Sequence, residues 1–298
     1  MTEFLQLLVS GIALGARYSL VALGFVVVFR STKVINFAQG GLVVIGAYLT
    51  YNAHQTWGLG FWPSLLIGMV GTALVGAAVE RLILRRMVGQ PTFTIIMITI
   101  GLLFIVQEVV TSIWGTGTLD LGDPWGIRVV ERNGIVISVK DLWTIGLTIA
   151  VLLAFFALFR YSKIGVAMRA TAVDQEAAMA QGISVERVFL VSWAIAGAVA
   201  AVAGATLAAG PGNLTIGVGD LAFAAFPAVI LGGLDSPGGA VVGGMTIGIT
   251  QVMTAGYQPR WFPSLGAGFS QVMPYVLMIA ILLVRPYGLF GTKEVRRV

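Results

Sequence analysis

The side chains able to do chemistry are few in this chain, and they stand far apart. The one histidine, His54, sits beside Trp57 and Trp62 between apolar runs, and there is no cysteine. Any Ser/His/Asp set would have to route through His54, whose neighbours are those of an interfacial aromatic belt, not of a nucleophile and an acid. No His-Glu-x-x-His pattern or Cys/His cluster offers ligands to a metal. No G-x-x-x-x-G-K-[ST] loop exists to cradle nucleotide phosphates. The sequence therefore reads as neither an enzyme nor a cofactor protein. What remains is a sparse polar set: Arg17, Glu108 beside Gln107, Asn36 and Gln39 beside Gly40-Gly41, and Asp220 and Asp235 at the ends of apolar stretches.

These few groups matter because of what surrounds them. The chain of 298 residues is 57% apolar and 10% charged, against about 25% charged in soluble domains. It cannot clothe a water-facing surface. Apolar stretches recur at about 4–29, 34–53, 61–79, 93–114, 142–160, 188–210, 218–234, 238–255 and 265–285. The fold class expected is an all-α, polytopic helical membrane protein of about 8–9 membrane segments in one domain, 1–298. The stretches at 34–53 and 218–255 are glycine-rich and short, so re-entrant or broken helices are expected there. Glycine is abundant, at 39 residues, and Gly11-x-x-x-Gly15, Gly239-x-x-x-Gly243 and Gly244-x-x-x-Gly248 are spacings at which membrane helices approach closely.

Polar side chains inside such runs are costly against hydrocarbon. Asn36 and Gln39, next to glycines that free the backbone, are expected to border a translocation path. For Arg17 and Glu108 three roles stay open: an ion pair with each other, helix packing, or lining a wet pore. Asp220 and Asp235 are placed where aspartate caps backbone. The segments Asn36–Gly46 and Asp235–Gly248 share a polar residue, a Gly-Gly pair and a following apolar run. That faint likeness is what a duplicated transporter would leave behind.

Two polar segments interrupt the apolar runs. In 115–141, alternating apolar residues flank Arg132-Asn133-Gly134, the pattern of a β-hairpin with an Asn-Gly turn. In Tyr161–Arg187, small and apolar residues keep helical spacing among charges: Ile164, Ala167, Met168 and Ala172 share one face, extended by Ala177, Ala178 and Met179. Gly182 has the place of a helix C-cap, and Ser184 with Glu186 can open the next helix. The spacing predicts one amphipathic helix over Lys163–Gln181. With the amino terminus outside and nine crossings, thirteen Lys/Arg fall inside (Arg30, Lys33, Arg81, Arg85, Arg86, Arg160, Lys163, Arg169, Arg187, Arg285, Lys293, Arg296, Arg297) and four outside (Arg128, Arg132, Lys140, Arg260). That bias places 161–187 in the cytoplasm and 115–141 outside.

The motif S-K-I-G, A-x-R-A, D, A-A, G-I in this loop resembles the coupling loop of the LivH family, the branched-chain amino acid permeases of bacterial ABC importers. It comprises Ser162, Lys163, Ile164, Gly165, Ala167, Arg169, Ala170, Asp174, Ala177, Ala178, Gly182 and Ile183. Ser31–Gly41 and Gly232–Gly244 carry the likeness further. The resemblance implies a multi-pass permease of the bacterial inner membrane. It implies ATP-binding-cassette ATPase subunits as partners, a second permease subunit, and a periplasmic binding protein that delivers branched-chain or related amino acids. Met168 joins the loop residues above as an ATPase contact. Urea or short amides are the alternative cargo, and an ion-coupled secondary transporter or a membrane anchor the alternative class. Nothing points to nucleic acid; membrane lipid is the surrounding solvent.

Because the chain has no cysteine, Ser184→Cys and Ser138→Cys are clean single labels. An impermeant maleimide is expected to reach them from opposite sides of the membrane; labelling from one side would overturn the orientation.

Overall fold

The computed structural model describes residues 2–87, 90–126, 128–132, 135–210, 212–266 and 268–291. Each of the nine apolar stretches holds a helix. In order these are α1 (Thr2–Thr32), α2 (Gln39–Tyr51), α3 (Phe61–Leu82), α4 (Thr92–Trp114), α5 (Val139–Tyr161), α6 (Lys163–Val173), α7 (Gln175–Ala180), α8 (Val185–Ala208), α9 (Leu221–Gly232), α10 (Pro237–Trp261) and α11 (Phe269–Val284), with α6 and α7 in the polar loop. Between α4 and α5 lies the hairpin of β1 (Val129–Arg132) and β2 (Ile135–Ser138), antiparallel with Val129 opposite Ser138. Its turn, Asn133-Gly134, falls outside the described residues.

Among the described residues, five helices (α1, α4, α5, α8, and α3 with its extension to Met87) are long and apolar enough to cross a bilayer. The others explain why nine apolar stretches do not give nine plain spans. α2 has 13 residues and is prolonged by a π-helical turn, Asn52–Thr56. α9 has 12 residues and follows a 3₁₀ segment, Ile216–Asp220. The unit Ile216–Gly232 folds back on α10 by 120°.

α1 is the axis. Its most apolar window is 78% buried, against 22% for α4 and α5. Lipid is as apolar as leucine, so helices in it gain little by hiding large side chains from solvent; close approach of small residues holds them instead. A Cβ on Gly15 would stand 2.8 Å from the Cα of Met245, and one on Gly248 would stand 2.2 Å from the amide nitrogen of Gly15. Two of the glycine spacings seen in sequence are thus the two halves of one α1–α10 contact. The third, Gly239-x-x-x-Gly243, seats α10 on α9: their Cβ positions fall 2.1 Å from the carbonyl oxygens of Gly232 and Ala228.

The two ends of the bundle differ in chemistry. The hairpin end gathers Phe61, Trp62, Trp125 and Trp143, with Trp62 and Trp143 ring centroids 5.3 Å apart. His54 belongs to this end: its Nδ1 lies 2.6 Å from the Leu59 carbonyl oxygen and its ring meets Phe61 edge-on. It closes a turn. The loop end carries α6, α7 and the carboxy-terminal ends of α1, α3 and α5.

Gly248→Leu is expected to cost about 3 kcal/mol, because backbone rather than a flexible side chain must give way. A thermal unfolding midpoint in detergent unchanged from the parent would show that α1 and α10 do not meet this closely.

Candidate functional site

The loop-end element is built by caps. The Ser162 hydroxyl accepts from the Gly165 amide at 3.0 Å and starts α6. Ser184 does the same for α8, accepting from Arg187 at 3.3 Å. Gly182, with φ +81°, closes α7. Its amide donates to Met179 and that of Ile183 to Ala178, the paired bonds of a Schellman cap. Inside this frame the single helix expected over Lys163–Gln181 is two. Asp174 takes an extended conformation (φ −155°, ψ 114°) and its carboxylate accepts from the Ala177 amide at 3.0 Å. A short carboxylate competes with the helix for backbone donors, so Asp174 ends α6 and begins α7 in one step.

The face of this pair turns out differently from its sequence reading. Met168 is 4% exposed, in the chain's own core, and Gly165, Thr171 and Ala178 are buried with it. Ile164, Ala167, Ala170 and Ala172 are half-buried. The apolar stripe is therefore largely consumed by the bundle, since a short helix lying on a membrane domain covers that face first. A Cβ on Gly165 would fall 2.2 Å from the Phe159 carbonyl oxygen, so α6 rests directly on the last turn of α5. Arg169, expected as an ATPase contact, turns back to its own chain: it donates to the Phe159 carbonyl and stacks 5.3 Å over the Phe159 ring. What faces outward is Met179 of the expected stripe together with three apolar residues the periodicity did not single out: Tyr161 (80% exposed), Val166 and Val173 (88%). Lys163, Asp174, Ala177 and Gly182 are exposed among them.

A further link fastens this element to the spans, and an ion-pair bridge ties the start of α8, which follows it, to α3. The Gln175 amide donates to the Ser31 carbonyl at the end of α1, at 3.1 Å. Arg85, just past α3, bridges Glu80 at 3.1 Å and Glu186 at 3.0 Å. Glu80 is almost wholly buried. Gln175, Glu80 and Arg85 were not legible as functional residues: each sits at an element boundary, and no periodic pattern marks a partner so far away along the chain.

Asn36 lies on a loop that dives into the bundle, and Gln39 opens the helix α2 that follows it. Lys33 takes a left-handed conformation (φ +59°) that turns the chain after α1. The Phe37 amide donates to Thr99 Oγ1 on α4 at 3.2 Å, and Asn36 Oδ1 accepts from the Ala38 amide at 3.0 Å. Gln39, fully buried, packs on Gly24 of α1 and donates to the Ala196 carbonyl of α8 at 3.3 Å. α2 thus begins about 12 Å inside the end of α1, judged by the rise from Gly24 to Thr32. Its first turn meets the 3₁₀ segment that precedes α9, a Cβ on Gly40 falling 3.0 Å from the Gly219 carbonyl oxygen. Asn36 borders a cavity of about 200 Å³ with Lys33, Glu80, Thr99, Gln175 and Trp193. Gln39 does not border it. It ties three helices together, which suffices to explain a buried amide.

The pair Arg17–Glu108 does not form. Arg17 faces Asp141 in the first turn of α5 at 3.5 Å, and the neighbouring Lys140 donates to the Ala209 carbonyl. Glu108 is exposed on α4, with no side-chain partner among the described residues. Asp220 makes no capping bond; Ser236 rather than Asp235 caps α10, accepting from Gly239 at 3.0 Å. The two segments of the faint repeat are also placed unlike: α2 begins inside the bundle, whereas α10 begins at its loop end. No group of three metal-ligating side chains occurs among the described residues.

A helical bundle with exposed apolar spans and a polar element fastened to one end defines a multi-pass integral membrane protein. Residues 7–282 match the family described as branched-chain amino acid transport system, permease component, and the chain belongs to that family. It is 30% identical to the high-affinity branched-chain amino acid transport system permease protein LivH of Escherichia coli, across 99% of this chain and 98% of that one. It is 28% identical to BraD, the corresponding permease protein of Pseudomonas aeruginosa, across 99% and 98%. A probable branched-chain amino acid transport permease protein LivH of Methanocaldococcus jannaschii is 29% identical, across 93% and 90%. A solved structure, PsaBC from Streptococcus pneumoniae in complex with Fab, superimposes with a TM-score of 0.49 at 17% identity, covering 97% of this chain and 94% of that one.

Arg85→Gln leaves the buried Glu80 carboxylate uncompensated and is expected to cost about 3 kcal/mol. Glu186→Gln, on the exposed side of the same guanidinium, is expected to cost less than about 1 kcal/mol. Equal shifts in thermal stability for the two variants would show that the bridge does not hold α3 to α8 in this way.

Proposed function

We propose that this chain is the membrane-spanning permease subunit of an ATP-driven importer in the cytoplasmic membrane, and that its cargo is a branched-chain aliphatic amino acid. ATP-binding-cassette ATPase subunits would supply the hydrolysis, a second permease subunit would complete the pore, and a periplasmic binding protein would deliver the cargo. The observation that carries this reading is the capped pair α6–α7, which stands at the bundle end with Tyr161, Val166, Val173 and Met179 outward while its other face is locked to α1 and α5. Full-length similarity to branched-chain amino acid permease proteins supports the choice of cargo.

Such an element can pass force in both directions. Its outward side chains are anchors of the kind that fill a groove in a soluble partner, and its inward bonds end on Ser31 and Phe159, while the helix that follows it, α8, is tied through Glu186 and Arg85 to Glu80 of α3. An ATPase that prefers one nucleotide-dependent position of α6–α7 would bias the bundle between inward- and outward-facing states by that difference in affinity alone. The cavity beside Asn36 lies between Gln175 and the re-entrant loop, so movement of α7 changes its wall. Asn36 is the residue there that we assign to the path.

Val173→Asp is expected to lower leucine uptake and leucine-stimulated ATP hydrolysis in proteoliposomes by about tenfold or more, with insertion unchanged, because Val173 touches little in its own chain. Full uptake with normal coupling would overturn the docking role. Normal coupling of the parent complex with urea but not leucine would overturn the cargo alone.

A further inference from the structure

The exposed side of α4 carries a contradiction that lipid cannot resolve. Its inward residues are Leu103, against Gly40, and Val106, against Gly41 of α2, with Thr99, Leu102 and Val110 buried beside them. The opposite side presents Phe104, Ile105, Val109 and Ile113, all large, apolar and exposed. In their midst stands Glu108, exposed and without a partner among the described residues. It lies about 9 Å along the axis from Trp114 at the helix end, within the hydrocarbon depth of the span. A carboxylate facing lipid there is strongly disfavoured, and ionisable groups in spans face protein or water instead. Four large apolar neighbours on a convex helix surface make a poor wall for a water-filled path. Ser112, exposed on the same face, donates to the Glu108 backbone carbonyl at 2.8 Å, which leaves the Glu108 carboxylate unsatisfied amid an apolar stripe among the described residues. That is the pattern of a helix–helix contact in the membrane, where the polar group supplies an interhelical hydrogen bond.

We infer that the Phe104–Ile113 face of α4 packs against the second permease subunit, and that Glu108 accepts a hydrogen bond from a cationic or amide side chain on a membrane helix of that partner. This rests on the reading that the chain works beside a second, different permease subunit. Among the described residues the Glu108 side chain has no partner, so changing it tests the partner contact without disturbing the fold.

The complete importer, with the second permease subunit affinity-tagged, serves as the test. A benzophenone-maleimide placed on Ile105→Cys is expected to give an adduct with the second subunit, while the same probe on the exposed Leu153→Cys of α5 labels lipid only. Glu108→Gln keeps an acceptor and is expected to retain the second subunit on purification; Glu108→Lys is expected to lower its recovery by roughly tenfold. The yield and thermal stability of the chain itself should stay level in both variants. If the second subunit co-purifies but Ile105→Cys labels only lipid, or only another copy of this chain, the face is wrong while the permease pairing stands. Undiminished recovery with Glu108→Lys likewise overturns the contact. If no second subunit co-purifies with the parent, the pairing itself fails and this inference with it.

Discussion

Backbone-to-backbone approach of α1 and α10 is the contact on which the rest of the bundle depends. In hydrocarbon there is no solvent to squeeze helices together, so stability comes from how closely two helices can lie and how completely their polar groups are satisfied. Gly11, Gly15, Gly244 and Gly248 bring the two axes together where any side chain would hold them apart. Ser19, at the same seam, donates its hydroxyl to the Gly15 carbonyl within its own helix and to Val241 across it. α8 uses the same device on its other neighbours: Gly197 meets the Thr72 carbonyl of α3 and Gly204 the Val43 carbonyl of α2. Long apolar side chains are left for the periphery, on α3, α4 and α5.

With that frame in place, irregular backbone can exist at membrane depth. The turn at Lys33 to Ala38 and the 3₁₀ segment before α9 leave peptide groups that a lipid-facing segment could not satisfy. Here they are met by Thr99, by Asn36 itself and by neighbouring carbonyls, with Asn36, Ala38, Val218 and Gly219 buried. The same enclosure creates the cavity at Asn36. Strict satisfaction of polar groups and the presence of a polar pocket are therefore one fact: the bundle tolerates a broken helix only where it has surrounded it.

At the loop end the economy is reversed. α6 and α7 lie outside the main packing, so their bonds are to the ends of spans rather than to their middles. Gln175 reaches the last turn of α1, Arg169 the last turn of α5, and Arg85 joins the end of α3 to the start of α8. A displacement of this element acts directly on the last turns of α1 and α5, and along the chain on the start of α8. That is the geometry expected of a transmission element, and it follows from Asp174 dividing one helix into two shorter ones that can each lie flat.

Much was legible along the chain because it depends on local order. Apolar runs of span length mark the membrane class; serine and glycine at helix boundaries mark the caps at Ser184 and Gly182; and alternation around Arg132 marks the hairpin. Those signals arise from neighbours a few residues apart, so the amino-acid sequence by itself determined them. The partners of polar groups are another matter. Arg17 could meet Glu108 or Asp141 with equal plausibility in one dimension, and only the packing of α1 beside α5 chooses Asp141. Periodicity identifies an apolar stripe on α6 but not whether the chain or a partner covers it; the tertiary structure turns Met168 inward and leaves Val173 out. Both choices are made by contacts between residues distant in sequence, whose energies exist only once the helices have found their neighbours.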